Sequence, residues 1–478
     1  MTVAVIGGGW AGCAAALMAR KRGVRTILFE RSDMLLGTGL VGGIMRNNGR
    51  YTAAEEMAAL GGGELFTICD DNARHVNVSF PGHEHATLYD TAKVQGGVTR
   101  CLKEHGVEIS FQRRVVKVHM RRGSITGVED ETGQTCHADA FVDATGTAGP
   151  LCNCTLYGNG CAMCTLRCPS FGGRVSVAAL AGVKEKVRMR EDGGVGAMSG
   201  SCEVDRASIA DSIEEELRRR GTLIVPVPEH LRQTQSPLRF TDTKMLSRKD
   251  LATLLYCRMR DITSPGEIPK VLKGLYGEIR RKLGRKVPGS SVAPLSFKVC
   301  QQYATSAFTD NLILLDTGQV KCMVPYYALE ALRQIPGFEN ARYASPFAGG
   351  TGNAMRFFAL SPKDTTLKVA GVCNLVCCGE KAGLLGHTEA IVTGTLAGFN
   401  AVMMAERRGL LELPAQLAAG DIIAAVNDEL TREGALTKTF TFSGSVYFER
   451  MKAQGLYTTD RAAIRRRVEA TGLAGIFN

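Results

Sequence analysis

Two groups of residues have the types and spacing to do chemistry. Gly7, Gly9 and Gly12 stand at the G-x-G-x-x-G spacing, with Gly8 and Ala11 inside the same turn. Gly7 permits a sharp exit from a strand, Gly9 lets a diphosphate approach the backbone, and Gly12 lets helix and strand pack closely. The N–H groups and positive dipole end of the helix that follows face the phosphates. Glu30 closes the next apolar run, Thr26–Phe29, where a carboxylate can accept hydrogen bonds from a pair of ribose hydroxyls. The second group is Cys152, Cys154, Cys161, Cys164 and Cys168. Its core is C-x2-C-x3-C-P, and thiolates so spaced on a glycine-containing loop can converge on one centre. Cys154, Cys161, Cys164 and Cys168 are the candidate ligands, of an iron–sulfur cluster or of a closed tetrahedral zinc site. Redox-active thiols and inert cysteines are the remaining readings.

Elements must position these residues. Val3–Ile6, an alanine-rich stretch and Thr26–Phe29 read as strand, helix and strand, a βαβ unit. Leu36–Ile44, which contains Gly42 and Gly43, reads as a glycine-rich loop that wraps the diphosphate, or as a plain flexible loop. Residues 51–90 carry no motif. A helix is expected over Ala92–Glu104, stopped by Gly106. Val107–Ser110, Arg114–His119 and Ile125–Glu129 read as a small β-meander. The meander leads to the strand and turn AFVDATG, ending in Ala144, Thr145 and Gly146.

From about residue 171 the composition shifts. An extended stretch (Arg174–Leu180), a helix (Ser208–Arg220), a Pro-bearing strand (Leu223–Val227) and helices near Lys249–Met259 and Ile268–Arg281 read as an inserted domain. Asn311–Asp316 resumes the apolar strand pattern, Gly371–Glu380 repeats strand, glycine and acid, and Thr388–Met404 is a long helix rich in small residues. The last seventy or so residues read as helical and basic, apart from a strand at Lys438–Phe442. The expected fold class is α/β: a discontinuous Rossmann-like domain (1–150 and 310–410), an inserted α+β domain (151–309) and a helical C-terminal segment (411–478).

With 478 residues the chain exceeds one compact core. No apolar run reaches the roughly 18 residues of a membrane span, and the N-terminus enters a strand directly, so no membrane association and a cytoplasmic location are expected. Disulfides are disfavoured there, which leaves the sixteen cysteines to metal, redox or packing roles. Cys13, Cys373, Cys377 and Cys378 read as buried small hydrophobes, and Cys257 and Cys300 as weak nucleophile candidates. The net charge of +11 is gathered at Arg218–Arg220, Arg280–Lys286 and Arg461–Arg467. These are solvated helix faces or an electrostatic footprint for RNA.

In its order of elements the chain resembles FAD-dependent oxidoreductases of the two-dinucleotide type. The resemblance implies FAD, with Arg31 near the adenosine and Val115 touching the adenine. It also implies Gly379 and Glu380 at the ribityl or diphosphate region, and His387 and Thr388 at a helix start facing the flavin ring. His387 is the candidate catalytic residue, with a packing histidine as the alternative. Two stretches, LRQIPGFENARYAS (332–345) and NLVCCGEKAGLLGHTEAIVTGTLAGFNA (374–401), are similar to the GidA/TrmFO group. That group comprises the glucose-inhibited division protein A family and the folate-dependent tRNA uracil methyltransferases. The chain departs from it in having Glu380 and His387 where the group has Gln and Tyr, and in the cysteine cluster.

Three functions follow. The first is an FAD-dependent oxidoreductase that passes electrons through a cysteine-ligated iron–sulfur cluster, with a small-molecule substrate or an electron-carrier protein as partner. NAD(P)H would be a transient donor, since no second G-x-G-x-x-G unit is evident. The second is a folate- and FAD-dependent enzyme that modifies uridine in RNA. The third is a non-enzymatic flavin and cluster sensor subunit.

Overall fold

The computed structural model describes residues 1–146, 175–188, 197–198, 201–232, 306–324, 327–345, 355–356, 358–432 and 438–478. The cysteine cluster at 152–168, the helices expected near 249–259 and 268–281, Cys257, Cys300 and the basic cluster 280–286 lie outside these residues.

The apolar runs VAVI, TILF, AFVD and LVC are buried on both faces, as strands of a parallel sheet must be. The sheet runs in the order Leu375–Cys377, Ala140–Asp143, Thr2–Ile6, Arg25–Phe29, Glu108–Ser110, all parallel. Two helices cover one another against it. The first, Trp10–Lys21, is buried along nearly its whole length. The second, His387–Ala405, carries Gly394 and Gly398 where any Cβ would overlap the Ala11 and Ala15 carbonyl oxygens. Small residues therefore let the two backbones touch.

The expected βαβ unit, the helix (observed Val94–Glu104), the turn after Ala140–Asp143 and the long helix are present. Four expectations change. Glu108–Ser110, read as part of the meander, is the edge strand of the parallel sheet. The meander itself is Val115–Arg121, Ser124–Asp130 and Thr135–Cys136. Asn311–Asp316 does not rejoin the parallel sheet. It is a central strand of an antiparallel sheet in the order Cys202–Val204, Val320–Cys322, Asn311–Asp316, Thr222–Pro226. An apolar run shows that a strand is buried, not which sheet it joins. Val177–Leu180, read as extended, is a short helix capped by the Ser176 hydroxyl. Lys438–Phe442 forms only isolated bridges, at Phe440 and Thr441.

Residues 44–89, which include most of the stretch without a motif (51–90), build two helices (Gly49–Ala59, Glu64–Asp71) and a three-stranded antiparallel sheet. That sheet shares an apolar cluster with the second one through Ile44, Val78, Leu88, Ile313, Leu315 and Met323. The C-terminal helices Ala418–Thr431, Ser445–Ala453 and Arg461–Ala470 fold back onto this region. The Asn48 side-chain amide donates to the Ser443 carbonyl (2.7 Å), and the Phe477 backbone N–H donates to Leu60 (2.8 Å). The segment is part of the core: Phe442, Tyr447 and Phe477 are fully buried.

Candidate cofactor and catalytic site

A cleft runs along the C-terminal ends of the parallel strands, where ligands of open α/β sheets sit. It has two lobes that share Gly9, Thr38, Ala144, Gly146 and Glu380 in their walls.

The narrow lobe, about 800 Å³, is lined by Gly7, Gly8, Glu30, Arg31, Arg113, Val115 and Thr145 among others. The glycines divide the labour as their spacing requires. A Cβ on Gly7 would overlap the Ala144 carbonyl, and one on Gly12 the Gly7 carbonyl, whereas one on Gly9 would meet nothing within 4 Å. Gly7 and Gly12 are thus packing glycines, and Gly9 opens the backbone to the cleft. The first strand, the turn and the helix N-terminus together form a phosphate cradle. Glu30 is 8% exposed and held from both sides. Its Oε2 accepts from the Gly8 N–H (2.9 Å), and its Oε1 accepts from the Ser32 N–H and hydroxyl (2.8 and 2.7 Å). The carboxylate is therefore fixed at the lobe wall, at the end where a ribose would meet it. Val115, 2% exposed, forms the facing apolar wall.

Asp143, fully buried and lining neither lobe, positions the site from behind and carried no sequence signal beyond its place before the turn. Its Oδ1 accepts from the Thr145 hydroxyl (2.6 Å) and N–H (3.2 Å), and its Oδ2 accepts from the Ala178 N–H (2.9 Å). One buried acid thereby fixes the Ala144-Thr145-Gly146 turn and the start of the helix Val177–Leu180.

The wide lobe, about 1050 Å³, is lined by Trp10, Ala11, Gly42, Arg50, Ser201, Lys321, Gly379, Glu380 and His387 among others. His387 stands at the start of the long helix, below the positive end of its dipole. Its Nδ1 lies 3.2 Å from the Tyr89 hydroxyl, which donates to the Gly39 carbonyl (2.8 Å). Burial pushes the Tyr89 phenol far above its usual pKa, so it stays a neutral hydroxyl. Gly42 leaves the imidazole its space, because a Cβ there would overlap the ring.

Arg50 spans the lobe to Glu389, which is fully buried (3.0 Å). Glu389 also accepts from the Thr441 hydroxyl and the Phe442 N–H (both 2.7 Å). The C-terminal segment is thus tied to the start of the helix that bears His387.

Two expected residues lie elsewhere. The Thr388 hydroxyl turns away from the cleft to the Met45 sulfur (3.1 Å), because the next position on a helix points about 100° from the last. Gly43 lines neither lobe and packs against Thr317. Cys13, Cys377 and Cys378 are buried as expected, but Cys373 is exposed, at the turn before the last sheet strand. Among the described residues no cluster of His, Cys, Asp or Glu is arranged to hold a metal ion, and no helix is long and apolar enough to cross a membrane.

The family model described as glucose inhibited division protein A matches residues 2–244 and 318–409. The chain belongs to that family. Among solved structures it is similar to Aquifex aeolicus GidA. In the form II crystal the TM-score is 0.61 at 16% identity, covering 100% of this chain and 74% of that one. In the form I crystal the TM-score is 0.56 at 16% identity, covering 98% and 78%. At such identity the likeness shows the fold, a Rossmann-like FAD-binding one with additional domains.

Proposed function

We propose that the chain is an FAD-dependent enzyme that modifies a base in RNA, with the base admitted to the wide lobe. The observation that carries this is the continuous cleft. It runs from a fixed ribose-facing acid, past an open glycine cradle, to a walled lobe beside His387. The residues fit FAD: Glu30, Arg31 and Val115 would hold the adenosine, and Gly8, Gly9, Ala11 and Gly12 would form the diphosphate turn. Ala144, Thr145, Gly146, Gly379 and Glu380 would border the ribityl region. When bound, FAD supplies hydride and single-electron chemistry that protein side chains lack. The chain's own work is then to bind, orient and exclude water. His387 would present its imidazole to the ring end. Membership of the GidA family and the net charge of +11 support RNA as the partner. Arg218, Arg219 and Arg220 do not, since Glu214 and Glu216 already pair with them. Arg465 and Arg466 are exposed and remain available to a polyanion.

The test is anaerobic purification with an optical spectrum, followed by RNA binding measured across salt concentrations. Flavin bands and an affinity that falls steeply with salt are expected. Absence of flavin overturns the reading, and salt-independent or absent RNA binding returns the chain to a small-molecule or carrier-linked oxidoreductase. The C-x2-C-x3-C-P run favours that second reading, with Cys154, Cys161, Cys164 and Cys168 as thiolate ligands of an iron–sulfur cluster or zinc. Iron, sulfide and zinc analysis of the same sample decides it.

A further inference from the structure

The second sheet sends one of its faces into the wide lobe. Along Cys202–Val204 and Val320–Cys322 the side chains alternate, and the two strands pair in register, Glu203 opposite Lys321. Cys202, Val204, Val320 and Cys322 enter an apolar core on one side. Ser201, Lys321 and Met323 line the wide lobe on the other. Lys321 is 4% exposed, and its ammonium donates to the carbonyl of Val41, in the glycine-rich loop.

Polar capacity around it is unused. The Ser201 hydroxyl and the Oε1 of Glu203 are buried with no hydrogen-bond partner among the described residues. A sheet face turned to a core would carry apolar side chains at these positions, and its neighbouring face does. Unpaired buried polar atoms are expensive, and the Ser201 hydroxyl, at the cavity wall, is placed to meet a polar occupant. Burial pulls the Lys321 pKa down and pushes that of Glu203 up, and each charge opposes the shift of the other. Opposite charges at these two registered positions therefore work against the effect of burial.

We propose that Lys321 is the cation that the second sheet presents to the ring end of the bound FAD, with Glu203 as its counter-charge and the Val41 carbonyl as its tether. The proposal rests on the FAD reading above. A flavin ring becomes more negative when it is electron-rich, and fixed positive charge in a water-poor site favours that form. The N-terminus of the helix His387–Ala405 supplies positive potential from one wall. Lys321 supplies it from the second-sheet wall. Arg50 also lines the lobe, but Glu389 balances it. Lys321 thus ties the chemistry of the ring to the second sheet.

The experiment uses the full chain loaded with FAD and two readouts. One is the dissociation constant of sulfite, which adds to oxidised flavins and leaves negative charge on the ring. The other is the flavin midpoint potential. K321M is expected to weaken sulfite about tenfold or more, the scale of one unit charge at short range in a partly screened site, and to make the potential more negative. K321R is expected to keep sulfite affinity within about threefold, which a merely steric role for the lysine would not give. E203Q is expected to tighten sulfite and raise the potential at low pH, where the ammonium keeps its proton, and to lose that gain as pH rises, because Glu203 opposes the fall in the Lys321 pKa. Unchanged sulfite affinity and potential in K321M overturn the inference. If K321M loses flavin, E203Q carries the test, and unchanged values there overturn it. A parent chain that retains no flavin overturns the FAD reading, and this inference with it.

Discussion

The narrow lobe takes most of its walls from short stretches that each announce themselves: the turn at 6–9, the strand end at 29–32, the meander start at 113–115 and the turn at 144–146; Gly37, Thr38, Val175 and Glu380 complete it. The wide lobe gathers Trp10, Gly42, Arg50, Ser201, Lys321, Gly379, His387 and Ser443, which are spread over most of the chain. The first is a backbone site, shaped by glycines that exclude side chains. The second is a side-chain site, made by docking a second sheet and a returning C-terminal segment against the first. On the proposed FAD reading, the contrast teaches that capture of the cofactor would draw mainly on short local stretches, while the surroundings of its ring would be assembled at long range.

Substitutions that strike one lobe and spare the other sharpen this contrast. Gly12→Val is expected to do most damage, because its side chain must displace the Gly7 carbonyl. A loss of about 3 kcal/mol or more is expected, with no retained flavin, read by thermal unfolding and absorbance. Parent-like stability with bound flavin would show that this packing does not define the narrow lobe. Arg50→Met comes next, since it strands the fully buried Glu389. It is expected to cost about 3–5 kcal/mol and to speed proteolysis within residues 438–478, while ADP, a probe of the narrow lobe alone, binds as before. Weakened ADP binding would mean that the lobes are not separable.

Glu56 gives a pH test of the same long-range docking. Its carboxylate accepts from the Ala418 and Ala419 N–H groups (both 3.0 Å) at the start of a C-terminal helix. Burial pushes its pKa from 4.5 up to about 7. Between these values the folded chain binds the extra proton, so stability is greatest at low pH within the window and falls as pH rises through about 7. The change is on the order of 3 kcal/mol. Urea unfolding at pH 5 and pH 8 measures it, and Glu56→Gln should remove the slope. Glu30→Ala should weaken FAD and ADP alike by roughly 10- to 100-fold, the worth of a charged hydrogen bond. Titration would show this, and a loss confined to FAD would move Glu30 out of the adenosine end. Arg219→Ala touches neither lobe and breaks an exposed ion pair. It should change stability by about 0.5 kcal/mol or less and leave RNA affinity unaltered.

The sequence alone determined the parallel strands, the glycine cradle, Glu30, the turn at Ala144-Thr145-Gly146 and the long helix with its small residues. Each of these is a local constraint: a buried run, a turn that admits no side chain, or a helix that must touch another backbone. Only the tertiary structure decided that Asn311–Asp316 joins the second sheet, that Thr388 faces away while His387 faces in, and that residues 438–478 close onto Arg50 and Asn48. It alone decided that Glu203 and Lys321 meet across two strands more than a hundred positions apart in the chain. No local period encodes such a meeting. It depends on which sheet a strand joins and in which register, and those choices are made by packing between distant segments.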